Sequence, residues 1–462
     1  MKQFRFIILG LLCIFVLVAC SDFLEEKSQD EVIPTTTKDY SELLLGYMYA
    51  NNNYILLHAL SDELQINERK LSSYRDDATV MSYFGCFTWQ PDMWERENTL
   101  SDRYEYIYSQ IMGINAVLDG VDDSKGSVEE KEIVKAGALA LRAFGYYFLV
   151  NLFGEPYNYN KDALGVPLKL TSALTENGMA RNTVSEVYTQ IVKDLEEASD
   201  LFEKYPKQRG DYRINGTTVD ILLSRVYLYM EEWDKAIIAA NQAISTAEGL
   251  TDYTVIDPSE TFYMTTYDHS EVEWLWGNYT LPSQFIISDE LRTGYKEGDC
   301  RLNFWFDNSY QVIKMKTADT RPTNTIRISE AYLNRAEARV LATNVDISGA
   351  LADLNELRRH RIAGYQNVTI SDVAVLLEEI RKERYLELCF DWHRWFDLRR
   401  YGMPSISHDY KIRKNDPWVT YTLQEEDPLY TLPISTVMMN NNVQLEQNAS
   451  ANESERTGSQ KL

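Results

Sequence analysis

Between Thr217 and Ala247 the chain carries the pattern that most narrows its fold: two short helices with small residues where they must meet. Leu223, Ser224 and Tyr227 recur on the first, Glu231-Glu232-Trp233 makes the turn, and Ala236, Ala240 and Ala243 line the second. Small side chains at facing positions let two antiparallel helices approach closely, and such a hairpin cannot bury its apolar faces without neighbours to stack on. A second copy runs from Ala331 to Arg361, with Ala338, Leu341, Ala350, Leu354 and Leu357 at equivalent offsets. A third pair, Glu129–Leu152 and Thr183–Glu203, is split by a long loop, and Thr183-Val184-Ser185-Glu186 reads as a capping box opening its second helix. Tyr104, Ile107, Tyr108, Ile111, Ile114 and Leu118 form a further helical stripe.

The hairpin spacing matches a tetratricopeptide repeat. The expectation is an all-α protein: a tetratricopeptide-like helical-repeat scaffold with irregular, aromatic-rich loop insertions. Two stretches break the helical period. Leu71 to Thr99 carries Tyr74, Trp89 and Trp94, and Leu250 to Thr325 carries Trp274, Trp276, Tyr279 and Tyr295. Loops on a rigid scaffold are where binding residues concentrate.

The first twenty residues address the chain. Lys2 and Arg5 precede an apolar run from Phe6 to Ala19 that is too short to span a bilayer and ends in Leu17-Val18-Ala19-Cys20. That ending resembles the lipobox of bacterial lipoproteins, which implies cleavage before Cys20 and lipidation of its thiol. Residues 1–19 are then a signal peptide and 20–37 a lipidated flexible tether. Beyond the signal no apolar segment is expected to approach about 18 residues. A formal net charge of −24 repels nucleic-acid backbones and anionic headgroups, so the lipid alone holds the chain to a membrane and nucleic acid is not a partner. Cys86, Cys300 and Cys389 match no zinc spacing, and a Cys86–Cys300 bridge is open.

Further motifs follow one another in a telling order: Arg142-Ala143-Phe144 and Phe153-Gly154-Glu155-Pro156, the Thr183–Leu195 helix, the Leu222–Ala243 hairpin, and Ser329 to Ala338. They lead to a signature segment, Ile380 to Arg400, read as one long helix with Tyr385, Leu388, Trp392 and Phe396 on its apolar stripe and Arg394 within reach of Asp391 and Asp397. Leu432-Pro433-Ile434, Asn442, Leu445 and Gln447-Asn448 close the series. The order resembles the SusD/RagB family of nutrient-capturing surface lipoproteins. Trp392 departs from the glycine usual there, Ser435 from a proline, and Val437 to Met439 lacks an acidic residue. The resemblance implies one SusD-like domain over 38–462, with helical repeats at about 38–249 and 326–402, a loop insertion at about 250–325 and an irregular segment at 403–462. It implies an outer-membrane, surface-facing protein that passes oligosaccharide to a SusC-type TonB-dependent transporter, without catalysis or cofactor. Peptide capture, as in the RagB branch, and a protein-binding scaffold or adhesin are the alternatives.

The residues offer no competing chemistry. His58, His269, His360, His393 and His408 form no metal pair, and His393 reads as structural. No nucleophile elbow or phosphate loop occurs. Glycoside hydrolysis needs two carboxylates about 5–9 Å apart, which 70 acidic residues can supply by chance. Sugar rings present an apolar C–H face and a hydroxyl rim, so a binder sets aromatic platforms beside carboxylate and guanidinium groups. The candidate ligand residues are Trp89, Trp94, Tyr74, Asp62, Glu63, Arg75, Trp274, Trp276, Tyr279, Tyr295, Asp299 and Arg301, each weighed against loop packing. Asp299-Cys300-Arg301 equally suits a salt bridge that fixes its loop.

Overall fold

The computed structural model describes residues 34–48, 55–96, 103–206, 209–210, 212–257, 259, 264–277, 280–314 and 324–461. Cys20, most of the expected tether and Tyr279 lie outside the described residues. The tether boundary moves inward: Thr36 pairs with Lys125, and Thr37, whose hydroxyl meets that of Ser124 at 2.8 Å, already opens helix α1 (Thr37–Met48).

Helices α2 (Leu56–Leu60) and α3 (Ala78–Phe87) follow, with strand β1 (Leu64–Ile66) between them. The expectation of an irregular Leu71–Thr99 fails at α3. Asp77 caps that helix, and burial of Val80, Tyr83, Gly85, Cys86 and Phe87 leaves no polar stripe to mark its period. Then come α4 (Tyr104–Gly120) and α5 (Val128–Phe153), the latter opened by a Ser127–Glu130 capping box. The expectation that no apolar segment after the signal approaches about 18 residues fails at α5, which among the described residues alone is long and apolar enough to cross a membrane; 83% of its apolar window is buried inside the protein, which makes it a central core helix. The short α6 (Tyr157–Asn160) leads to α7 (Val184–Lys204), which starts at the Thr183–Glu186 capping box as its sequence predicts.

The Thr217–Ala247 hairpin is α8 (Gly216–Tyr229) and α9 (Trp233–Thr246), with Ala236, Ala240 and Ala243 fully buried against its neighbours. Strand β2 (Val272–Trp276), strand β3 (Phe285–Ile287), α10 (Asp289–Gly294), α11 (Arg301–Trp305) and strand β4 (Asn324–Arg327) make up the insertion. The second hairpin is α12 (Ile328–Leu341) and α13 (Ile347–Arg359), closed by α14 (Val373–Glu387). Helices α5 and α7, α7 and α8, α8 and α9, α9 and α12, and α12 and α13 pack in succession, so the repeat reading describes the scaffold. Among the described residues helices dominate, and three small antiparallel sheets serve the loops. β1 pairs with β3, β2 with β4, and β6 (Val419–Leu423) lies between β5 (Ile406–Tyr410) and β7 (Ser459–Gln460).

The signature segment is not one helix. It breaks after Glu387 and resumes as α15 (Arg394–Arg400), with Phe390 and Trp392 in the left-handed region at φ 61° and 68°. Each such residue costs roughly 1–3 kcal/mol unless its surroundings hold it. Here they do: the Phe390 N–H donates to Glu63 at 2.7 Å, and the Trp392 ring meets Trp276 edge-on at 4.4 Å. The break also corrects the expected pairings. Arg394 bonds Asp62, Asp391 takes Lys314 and Arg327, and Asp397 takes Arg384 and Arg400.

The insertion is tied to the scaffold by buried charge. Glu387 receives Arg301 at 3.0 Å, Arg327 at 2.5 Å and Arg361 at 2.9 Å, while Glu271 shares Arg327 and Arg361, and Glu383 shares Arg301 and Arg358. Burial opposes the Glu387 charge, but Arg361 and Arg327 outweigh it and hold the carboxyl well below the usual range. The Trp305 ring lies under this cluster, 4.1 Å from the Lys314 ammonium. His393 is buried beside Arg384, and desolvation, reinforced by Arg225 and Arg384, keeps its imidazole neutral. Cys86, Cys300 and Cys389 are free thiols, so the Cys86–Cys300 bridge does not form.

Candidate functional site

A cleft of about 710 Å³ opens where β1, β3, α10 and the β5–β7 sheet converge. Alternation in the two short strands builds its wall. Leu64 and Ile66, like Phe285 and Ile287, turn into the core, which leaves Gln65 and Ile286, direct partners in register, toward the cleft. Ser288 caps α10 through the Leu291 N–H, and this fixes Asp289 and Arg292 at the rim.

Two aromatic residues border the opening. Tyr310 sits at φ 64° in a turn whose Asp307 carboxylate accepts the Ser309 and Gln311 N–H groups; it is 42% exposed, and the Arg292 guanidinium lies 5.0 Å from its ring. Trp418 is half-buried, with the Lys411 ammonium 4.3 Å from its ring and Lys411 itself bonded to Glu68 at 2.6 Å. Of the carboxylates around the cleft, all but Glu290 pair with a cation among the described residues. Asp62 receives Arg394 through two bonds of 2.7 and 2.5 Å, Asp289 pairs with Arg292 at 3.1 Å, and Asp409 with Lys461 at 2.5 Å. Burial works against the Asp409 charge, and the bonds from Lys461 and Thr420 overcome it and lower its pKa. His408 lies at the floor between Phe87 and Trp89, with its ring nitrogens 2.8 and 2.9 Å from the Phe87 and Ser61 carbonyls; burial lowers its pKa.

The residues chosen from sequence scatter. Asp62 lines the cleft. Glu63, the next residue, points inward to His58 at 2.7 Å and to the Phe390 N–H. Trp89 is fully enclosed at φ 50° and donates to the Leu60 carbonyl, so neither face is open to a ligand. Trp94 is half-buried and donates to the Pro433 carbonyl. Trp274 and Trp276 stack on each other at 5.7 Å beneath Phe144, and Tyr295 is buried with its hydroxyl donating to Leu386. Asp299 and Arg301 form a buried bidentate pair within the ion cluster, which is the loop-fixing role. Apolar rings in this insertion went to the core because it is thick enough to enclose them. Tyr74, 96% exposed, and Arg75 stand free in the turn before α3, and that turn is tied to the segment leading to Trp418 by the Lys414–Ser72 backbone bond.

Trp418 and Tyr310 were missed. Each follows a turn-forming run, Asn415-Asp416-Pro417 and Asp307-Asn308-Ser309, and an aromatic residue directly after such a run was the available signal.

Two family models match consecutive parts of the chain. A SusD-like model described as "Starch-binding associating with outer membrane" matches residues 22–228, and a SusD/RagB model described as "SusD family" matches residues 254–450. The chain belongs to the SusD/RagB family, whose members are binding proteins associated with the outer membrane. Among solved structures, a SusD superfamily protein from Bacteroides thetaiotaomicron is 22% identical, with 90% of this chain and 100% of that one covered and a TM-score of 0.71. A SusD-like carbohydrate binding protein from Bacteroides vulgatus is 22% identical over 89% and 97% of the two chains, with a TM-score of 0.67. A laminarin binding SusD-like protein is 21% identical over 90% and 100%, with a TM-score of 0.64. No curated protein sequence matches the chain.

Proposed function

We propose that this chain is a lipid-anchored surface protein that captures neutral oligosaccharide in the β1–β3–α10 cleft and delivers it to a SusC-type TonB-dependent transporter. The observation that carries this reading is the combination of aromatic rings at the opening with a rim on which most charges are already paired, Arg69 and Glu290 being the lining charges without an ion pair among the described residues. The paired groups leave hydroxyl, amide and carboxylate acceptors for a hydroxyl-rich ligand, and the remaining pair of opposite charges gives the rim no net preference for an ion. Trp418 and Tyr310 supply faces for the C–H side of a sugar ring. Tyr74 and Arg75 extend the same rim. The starch and laminarin named for the family model and for one structural relative fit that chemistry. Capture followed by release requires no bond to break, and modest affinity suits a ligand that must move on.

Calorimetry against a panel of neutral glucans, with the Trp418→Ala/Tyr310→Ala double variant alongside, tests the site. The expected result is at least a tenfold loss, about 1.4 kcal/mol. Unchanged affinity in the double variant, or binding of peptides in place of glycans, overturns it. Cys20→Ala tests the anchor: the variant should leave the membrane fraction.

A further inference from the structure

On the helical scaffold, far along the chain from the cleft residues, a second groove of about 780 Å³ runs between α7 and the α8–α9 hairpin and shares no lining residue with the cleft. Glu196, Asp200 and Glu203 stand on one exposed face of α7, at spacings of four and three. Asp220 of α8 closes the bottom. Only 6% of it is exposed; Ser199 donates to one carboxylate oxygen at 2.7 Å, and the other has no partner among the described residues.

That vacancy contrasts with the rest of the scaffold. Asp194 on α7 takes Arg142 of α5 at 2.8 Å, Glu330 on α12 takes Arg225 of α8 at 2.6 Å, and Asp353 on α13 takes Arg335 and Arg339 of α12. Glu337 of α12 likewise meets Arg400 of α15, and Asp397 of α15 meets Arg384 of α14. In each case an arginine from a neighbouring element neutralises a buried acid, as burial of a charge demands. At Asp220 none arrives among the described residues. Lys235, the cation among the described lining residues, lies over Tyr227 and pairs with Glu232. Burial therefore raises the Asp220 carboxyl to about 6, against the Ser199 bond. The described residues hold no cluster of ligating side chains suited to a metal ion. Phe202, Leu223 and the 67% exposed Ile238 add an apolar lining beside the acids.

We infer that this groove receives an arginine or lysine side chain from an extended segment of a partner protein, with Asp220 as the receiving carboxylate and the α7 acids guiding its approach. The segment would place an apolar residue next to its cation, on Ile238 and Phe202. Charge complementarity sets this chemistry: among the described residues lining the groove, four carboxylates meet one lysine that is already engaged.

The test uses the full chain and a fluorescein-labelled heptapeptide of alternating leucine and arginine, read by anisotropy. Its control is the same peptide with citrulline, which keeps the shape and removes the charge. The expected result is saturable binding that weakens at least tenfold with citrulline and at least tenfold in Asp220→Asn, a variant that keeps an acceptor for Ser199. Asp200→Asn/Glu203→Gln, both on the exposed face, should weaken it about threefold, while Glu129→Gln/Glu453→Gln, away from the groove, should leave it unchanged. Equal binding of the two peptides, an unaffected Asp220→Asn variant with a native melting curve, or equal loss in the remote double variant overturns the inference. So does an absence of saturable binding below about 1 mM arginine peptide.

Discussion

The insertion between Leu250 and Thr325 has two faces, and they are built by different rules. Its inner face, with Glu271, Trp274, Trp276, Asp299 and Arg301, is buried, tied by ion pairs to Glu387 of α14 and to Arg361 just past α13, and packed through its tryptophans on Phe144 of α5. Its outer face, with Ile286, Asp289, Arg292 and Tyr310, borders the cleft and is joined by surface pairs that either partner can leave cheaply. The difference teaches that aromatic density along a sequence does not locate a binding surface. The same segment uses its tryptophans to hold on and its turn residues to present.

Glu387→Gln should break this division most severely. It leaves Arg301, Arg327 and Arg361 short of a shared carboxylate, and urea unfolding should show a loss of about 3–5 kcal/mol. A loss below about 1 kcal/mol would mean that the inner face is not held by charge. The wild-type protein should show the same dependence on pH. Because Glu387 ionises below its ordinary 4.5 when folded, its contribution is present above that value and is lost as pH falls through the lower folded value.

Trp276→Ala comes next, at about 3–4 kcal/mol for the emptied space beside Trp392 and Phe144. Glucan affinity of the folded fraction should stay within twofold; a tenfold loss would show that the two faces are coupled. Glu273→Gln sharpens the picture from the other side. This buried carboxyl on β2 has an oxygen without a hydrogen-bond partner among the described residues, and burial raises it to about 7, with Arg209 opposing and Glu248 assisting. A raised acid penalises the folded state above its folded value and not below 4.5. The variant should therefore gain about 3 kcal/mol at pH 8 and nothing near pH 4 in thermal melts. Smallest of all, Tyr74→Ala should shift stability by less than about 0.5 kcal/mol, since its ring is 96% exposed. Its effect on glucan titrations will show how far the rim extends.

The scaffold was legible because its signals are local. Ala236, Ala240 and Ala243 declare a close-packed helix, and Thr183 with Glu186 declares a helix start. The break at Phe390 and Trp392 was not, since neither residue favours a positive φ and the forces that hold them, Glu63 and Trp276, come from distant parts of the chain. Arg394 illustrates the same limit: Asp391 and Asp397 are its neighbours in sequence, but Asp62 is its partner. Of the residues chosen from sequence, Asp62 lines the cleft, and Tyr74 and Arg75 lie in a turn tied to the segment before Trp418. Whether a tryptophan lies outside or inside depends on the thickness of the layer covering it, which no local spacing encodes.

The alternation in β1 and β3 has an evolutionary consequence. Gln65 and Ile286 face each other across one register step, each between two residues committed to the core. Neither side chain belongs to the core set on its strand, so if the cleft is the capture site proposed above, substitutions here would change the ligand while the architecture stands still. Relatives with about a fifth of their residues in common and nearly the whole chain superimposable are what such a separation permits. For anyone wishing to retarget this protein, a small combinatorial library at 65, 286, 310 and 418 is the place to start.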